Sequence, residues 1–265
     1  AYAGSHENLS VCLIHRKQWI GFKGTPSMQT LALHAPLRNN NIALGLLLFN
    51  EEFGIRKSTS IQTNYAYRIP MGKNKLSLGL KIQFDNIRTG WDELIIDKSD
   101  AAFNLGTMTN LLLNFGAGGY YYSDKSYLGV SVPLLISYNN AENNDDFAPS
   151  YESNTNNFLF SGGTVATLNT FLKVKPSFLI KYVPKIAFQY DLGSHFIVKD
   201  FVWAGFTYRS KSALIGLLQI QANRQLKLGC AYEYSISKLK NLNSIELLVK
   251  YNFNYHIKAR SPLYF

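Results

Sequence analysis

No part of this 265-residue chain is apolar for long enough to cross a membrane as a helix. The longest uncharged apolar run covers residues 42–49, well short of the roughly 18 residues that a spanning helix requires. No stretch of about 10 residues carries a convincing 3.6-residue period either, so no helix is expected. Charge is sparse, with Asp, Glu, Lys and Arg at 17%, yet 46% hydrophobic residues is far too many for a disordered chain. Cysteine is nearly missing, and Cys12 and Cys230 are too few to form a disulfide framework. The 27 basic residues exceed the 17 acidic ones, giving +10. They never gather into a block of five or six, which argues against a nucleic-acid partner.

His6, His15, His34, His195 and His256 show no metal-ligand spacing, and two distant cysteines cannot complete a zinc site. No nucleophile elbow is present. No catalytic residue, cofactor or metal is therefore expected, although His15 and His34 fall on neighbouring predicted strands where they could meet. The chain opens at Ala1 without Met and without an apolar signal-peptide core, as a processed product or a part of a longer protein would.

What the chain has in abundance is aromatic side chains and alternation. Tyr, Phe and Trp number 17, 17 and 3. Leu76, Leu78, Leu80, Ile82 and Phe84 share one face of a period-two segment, opposite Ser77, Gly79, Lys81, Gln83 and Asp85. Leu226, Leu228, Cys230, Tyr232, Tyr234 and Ile236 form a second such row, and Ile245, Leu247, Val249, Tyr251 and Phe253 a third.

Similar runs predict strands over 8–17, 27–36, 41–50, 57–69, 75–86, 111–122, 126–134, 157–168, 173–183, 185–192, 201–209, 212–220, 225–236 and 243–253, with the weak piece 194–198 merged into the strand before it or the turn after it. That is about fourteen strands, mostly of nine residues or more. A soluble sandwich uses shorter ones, whereas a tilted strand crossing a bilayer needs about 9 to 11 residues. Polar turns such as 70–74, 123–125, 198–200 and 221–224 separate the runs. The fold class expected is all-β: a transmembrane antiparallel barrel of about 14 strands forming a single outer-membrane domain over residues 1–265, with 254–265 as a periplasmic tail. Closure would also remove exposed sheet edges.

The longest connections, 87–110 and 135–156, both follow odd-numbered strands and so emerge at one rim, while the even-numbered turns are short. Long extracellular loops and short periplasmic turns are the build of outer-membrane barrels. Ten of the 17 acids lie in connections at the long-loop rim: Glu51, Glu52, Asp92, Glu93, Asp97, Asp100, Glu142, Asp145, Asp146 and Glu152. The opposite rim carries Arg38, Lys73, Lys75, Lys125, Lys199, Arg224, Lys258 and Arg260 against Asp124 and Asp200. The acidic loop with Glu142, Asp145, Asp146 and Glu152 lacks the ligand spacing of a calcium site. It is a solvated loop by default and a candidate contact surface.

The polar faces place Arg68, Lys81, Asp85, Lys173, Lys175, Lys181, Asp191, Arg209, Lys227, Glu233, Glu246 and Lys250 inside the lumen. They would line an anion-selective channel, or fill the lumen as paired charges with a plug; interspersed acids and bases favour the second. Tyr65, Tyr67, Tyr121, Tyr190 and Tyr208 face outward as interfacial girdles or cross-strand packing. Cys12 falls on the polar face and Cys230 on the apolar one, so both are expected as free thiols.

The order of certain short motifs resembles a known family. Ala1-Tyr2-Ala3-Gly4-Ser5 opens the series, followed by Gln18-Trp19, Gly21-Phe22, Gly24, Pro26, Gln29-Thr30 and His34-Ala35-Pro36-Leu37. Then come Ala66-Tyr67-Arg68, Leu76 to Lys81, Gly118 to Tyr122, Gly129 to Pro133, Lys175-Pro176, Trp203, Gly205, Tyr208-Arg209, Tyr232, Tyr234-Ser235 and Ser261 to Phe265. Together they resemble the PorP/SprF family of type IX secretion system outer-membrane proteins across essentially the whole chain. Leu263 departs from the family, where a basic residue is commoner, and family members usually carry a signal peptide and a short segment before the opening motif.

The resemblance implies an outer-membrane component of the type IX system of Bacteroidota, at the cell surface. It would assist secretion or surface attachment of cargo with a C-terminal targeting domain, gliding adhesins among them. The implied partners are that cargo, periplasmic secretion subunits, and outer-membrane lipid and lipopolysaccharide. A passive diffusion channel or small-molecule transporter is the alternative function, and an outer-membrane enzyme a third.

Overall fold

A computed structural model describes residues 1–37, 41–91, 107–139, 148–150, 157–185, 187–237 and 242–253. Sixteen strands follow one another: β1 (Leu9–Lys17), β2 (Ser27–Pro36), β3 (Ile42–Phe53), β4 (Arg56–Met71), β5 (Asn74–Gly90), β6 (Thr107–Tyr122), β7 (Ser126–Asn139), β8 (Ala148–Ser150), β9 (Phe158–Thr164), β10 (Ala166–Thr167), β11 (Leu172–Val183), β12 (Ala187–Val198), β13 (Val202–Arg209), β14 (Ala213–Gln221), β15 (Leu226–Ser235) and β16 (Ser244–Phe253). From β1 to β7 and from β11 to β16, each pairs antiparallel with its sequence neighbours. β9 bridges β7 and β11, and β1 runs against β16 from the Leu9–Phe253 pair to Lys17–Ile245. The ring is closed. β9 and β10 together make one stave and β8 only extends the end of β7, so the wall is a 14-stranded barrel.

Local chemistry sets the tight turns at the rim where the chain enters. Asn169 Oδ1 accepts the amides of Phe171 and Leu172, both at 2.8 Å, and Asn223 Oδ1 does the same for Gln225 and Leu226 at 2.8 Å. Between β12 and β13, Lys199 and Asp200 both take positive φ, 51° and 55°, the geometry of a hairpin turn whose twist matches the strands.

The three alternating rows sit where the pattern predicts. Leu78, Leu80, Ile82 and Phe84 of β5, Leu228, Tyr232 and Tyr234 of β15, and Ile245, Leu247 and Val249 of β16 are all exposed on the outer face. The most enclosed side chains are instead largely polar: Arg68, Ser5, Ser10 and Ser77 alongside Ile197. Apolar outside and polar inside is the reverse of a soluble core, and it fits a wall immersed in lipid. Cys12 faces inward opposite Lys250 and Cys230 outward opposite Leu247, and both are free thiols.

Several boundaries differ from the sequence pattern. β5 runs on to Gly90, β6 begins at Thr107 and β7 continues to Asn139, so the long connections start farther out than expected. The outer face of β5 turns polar at Asn86 and Arg88 while the ladder continues through Arg88–Thr109. The hydrophobic alternation ends where lipid ends, but the hydrogen bonding does not. In contrast, the predicted strand at 157–168 is broken at Val165 into β9 and β10.

Residues 140–147, 151–156 and 254–265 lie outside the described residues, and with them Glu142, Asp145, Asp146, Glu152 and the expected tail. Leu80 is 62% exposed at the middle of the outer row of β5. Leu80→Arg is expected to lower stability by about 2–4 kcal/mol, the cost of a cation at the bilayer midplane, measured by reversible urea unfolding in lipid vesicles.

Candidate functional site

The entry end of the lumen is filled by residues 1–8 of the chain. Ala1 to Asn8 fold up inside the barrel before β1 begins, and Ala3 to Glu7 are buried. The segment is short, rich in small residues and without alternation, so it has no face to give to the wall. Its backbone turns at Gly4, with φ at 76°, where a Cβ would stand 2.4 Å from that of Ala43. Only glycine fits there. Ala3, Ala43 and Ala66 pack as a small apolar cluster beneath it.

Polar contacts fix the segment to the wall. Arg68 is 1% exposed, and its Nη1 donates to the Gly4 carbonyl at 2.8 Å and to Glu7 Oε1 at 3.1 Å. Lys75 reaches the same Glu7 oxygen. Higher up, Ser77 Oγ donates to the Ala1 carbonyl at 2.6 Å. A Cβ on neighbouring Gly79 would overlap the Ala1 backbone, so the glycine in the wall makes the room that the segment occupies. On the other side, the Gly4 amide donates to His34 Nδ1 at 3.3 Å. That leaves His34 Nε2 to carry the proton shared with His6 Nδ1, 3.3 Å away. Tyr2 sits edge-on to His6, His34 and Tyr120.

Above the segment lies a cavity of about 810 Å³, with Tyr2, Tyr120, Tyr127, Lys81, Lys175 and Asp191 in its lining. Toward the long-loop rim a chain of ion pairs draws side chains from five strands. Arg16 of β1 meets Glu246 at 3.3 Å and Glu233 at 3.0 Å; Arg209 meets the same Glu233 at 3.0 Å and Asp191 at 3.2 Å. Glu233 thus bridges two guanidiniums, and the network spans the inner wall from β1 to β12.

The remaining charges expected in the lumen share its inner face. Asp85 accepts from Ser60, Gln83 and Asn114, and Lys81 donates to Gln83 Oε1 at 2.6 Å. Lys227 lies 3.6 Å from the centre of the Trp203 ring and opposite Lys250 in the ladder. Lys250 approaches His6 at 2.9 Å and Lys175 faces the Tyr127 ring at 5.5 Å. Lys181 stands opposite Gln189 on the same face. Lys173 is near the rim, paired with Asp200 at 2.8 Å. His15 and His34 do not meet: His15 points outward toward Gln29, while His34 points inward to His6. Among the described residues, no three His, Cys, Asp or Glu side chains are grouped to hold a metal.

Two participants escape the sequence pattern. Glu7 precedes the first strand and so has no period to place it. Arg16 shares the polar face with Cys12 but belongs to a short strand whose alternation is weak.

The sequence matches, over residues 1–251, the profile of a family described as type IX secretion system membrane protein PorP/SprF. The chain belongs to the PorP/SprF family. A search of curated protein sequences finds no match. In shape the chain is similar to the crystal structure of the Acinetobacter baumannii outer membrane protein Omp33, with a TM-score of 0.54 and 9% identity over 94% of this chain and 100% of that one. A Pseudomonas aeruginosa FadL homologue aligns with a TM-score of 0.46 and 12% identity over 93% and 89% of the two chains. KdgM porin gives 0.45 and 9% over 92% and 99%. At 9% identity the likeness to Omp33 concerns the fold alone. This PorP/SprF barrel is an outer-membrane protein, and several motifs of its resemblance converge on one place: the opening Ala1 to Ser5, His34, Arg68, Ser77 with Gly79, and Tyr120 all touch the luminal segment.

Glu7 answers two cations, one of them fully enclosed. Glu7→Ala is therefore expected to destabilise the barrel by about 3–5 kcal/mol, because it strands a buried charge, whereas Lys75→Ala, which removes a half-exposed partner, costs under about 1 kcal/mol. Urea titration of the vesicle-embedded protein separates the two.

Proposed function

We propose that this chain is a non-enzymatic barrel of the type IX secretion machine that helps secrete or display cargo proteins of the adhesin or gliding type, engaging them through a C-terminal targeting domain. The observation that carries the reading is the family match over residues 1–251, joined to a lumen occupied from the entry rim by Ala1–Asn8. A barrel holding its own segment in place with buried ion pairs is suited to serve as a docking platform rather than an open pore. The acidic stretch with Glu142, Asp145, Asp146 and Glu152 is the proposed cargo contact, and the short-turn rim with exposed Lys73, Lys125, Lys199 and Arg224 the proposed contact with periplasmic secretion subunits. Residues 254–265 are proposed as a periplasmic tail.

The second reading, a diffusion channel or small-molecule transporter, draws on the 810 Å³ cavity. Two measurements decide between them. Affinity isolation from native membranes is expected to recover a cargo carrying the C-terminal targeting domain, and deletion of residues 139–154 to abolish that recovery while the barrel still folds. In planar bilayers the isolated protein is expected to show no steady ion-selective openings; regular openings without any cargo recovery would favour the channel.

A further inference from the structure

Charge is almost excluded from the outer face of the barrel, and the exceptions gather in one place. Among the described strand residues, only Lys17, Glu52, Lys57 and Arg88 point a charged side chain outward, by the alternation of the ladders that join β1 to β5. All four share one row at the long-loop ends of their strands: Lys17 opposes Ser27, Ser27 opposes Glu52, Glu52 opposes Lys57, and Lys57 opposes Arg88.

The rows beneath it are graded. Next toward the membrane come His15, Gln29, Asn50, Thr59 and Asn86, and below those Leu13, Leu31, Leu48, Ile61 and Phe84. The polar row is linked through Gln29 and Asn50 at 2.9 Å and through Thr59 and Asn50 at 3.1 Å. Lys57 stands four positions from Ile61 along the strand, so on a tilted strand the cation is about 10 Å above the last apolar row. That is headgroup height, within reach of side chains that extend their charge toward the interface.

Lys57 and Arg88 are direct cross-strand partners, both exposed. Like charges set opposite one another in a ladder destabilise it. Neither side chain forms an ion pair or hydrogen bond among the described residues, even though Glu52 flanks Lys57. A rigid hairpin thus holds two cations side by side, facing the outer leaflet, with Asn86 just below as a neutral donor.

We propose that Lys57 and Arg88 form a binding site for a phosphate group of an outer-leaflet phosphoglycolipid of the lipid A type. The guanidinium can grip phosphate with paired N–H donors while the ammonium supplies a point charge. The anion relieves the repulsion between the two, and the apolar rows beneath receive the acyl chains. The site lies on the outer wall and does not depend on how the lumen or the cargo is handled.

The test uses the intact barrel in mild detergent, with native mass spectrometry counting bound lipid. Bisphosphorylated lipid A is expected to stay bound to the unaltered protein, and K57Q/R88Q to lower its affinity by about tenfold or more, as losing charge-assisted hydrogen bonds does. E52Q is expected to bind at least as well as the unaltered chain. Dephosphorylated lipid A is expected to bind the unaltered chain no better than the phosphorylated form binds K57Q/R88Q. Heat-modifiable migration on gels checks that each variant folds, and the single variants K57Q and R88Q stand in if the double one does not. Equal lipid A binding by the folded variants overturns the proposal. So does complete displacement by millimolar inorganic phosphate, which would mark a site for the free ion, or equal retention of phosphatidylglycerol, which would mark an unselective cationic surface.

Discussion

Arg68 sits almost without solvent inside the barrel, and a guanidinium enclosed in that way persists only if the chain around it supplies both charge and acceptors. Glu7 supplies the charge and the Gly4 carbonyl an acceptor, and both come from a segment that is not part of the wall. The rest of the interior follows from that demand. Gly4 must take a left-handed conformation beside Ala43, Ala43 and Ala66 must stay small, and Gly79 must leave its face bare for Ala1. Fill and wall are therefore fitted to each other, and the lumen behaves as a polar core rather than as a vacant pipe.

The wall obeys a second, separate constraint. Lipid offers backbone groups no partners, so every strand must be paired and the sheet must close. The β1–β16 ladder and the β7–β9–β11 junction accomplish this. Because side chains alternate strictly, one sequence can satisfy both constraints at once, placing Leu80 in lipid and Lys81 in the lumen next to it.

The wall was largely legible in the sequence for this reason. The rows on β5, β15 and β16 are period-two signals nearly free of exceptions, and the Asn169 and Asn223 turns announce themselves through side chains that mimic backbone bends. The boundaries drifted where the environment changed and not the pairing, as at Asn86 and Arg88, which leave lipid but remain in the ladder. The fill was illegible. Residues 1–8 have no period, and nothing in the order of residues says that Glu7 lies beside Arg68, 61 positions later. Lumen charges could be placed on the inner face by alternation alone, but which acid meets which base depends on barrel register, so the bridging of Arg16 and Arg209 by Glu233 emerges only in three dimensions.

The position of the luminal segment also bears on the order of assembly. Its contacts run mainly to β2, β3, β4, β5 and β6, through His34, Ala43, Arg68, Lys75, Ser77 and Tyr120, whereas the seam that closes the barrel joins β1 to β16, the first strand to the last. The N-terminal half thus carries the means to organise its own interior over short chain separations, before the loop-closure entropy of uniting the two ends has to be met. An unfinished sheet that already holds its filling presents a curved, polar inner surface instead of an empty trough, and the final strand then has only a seam to complete.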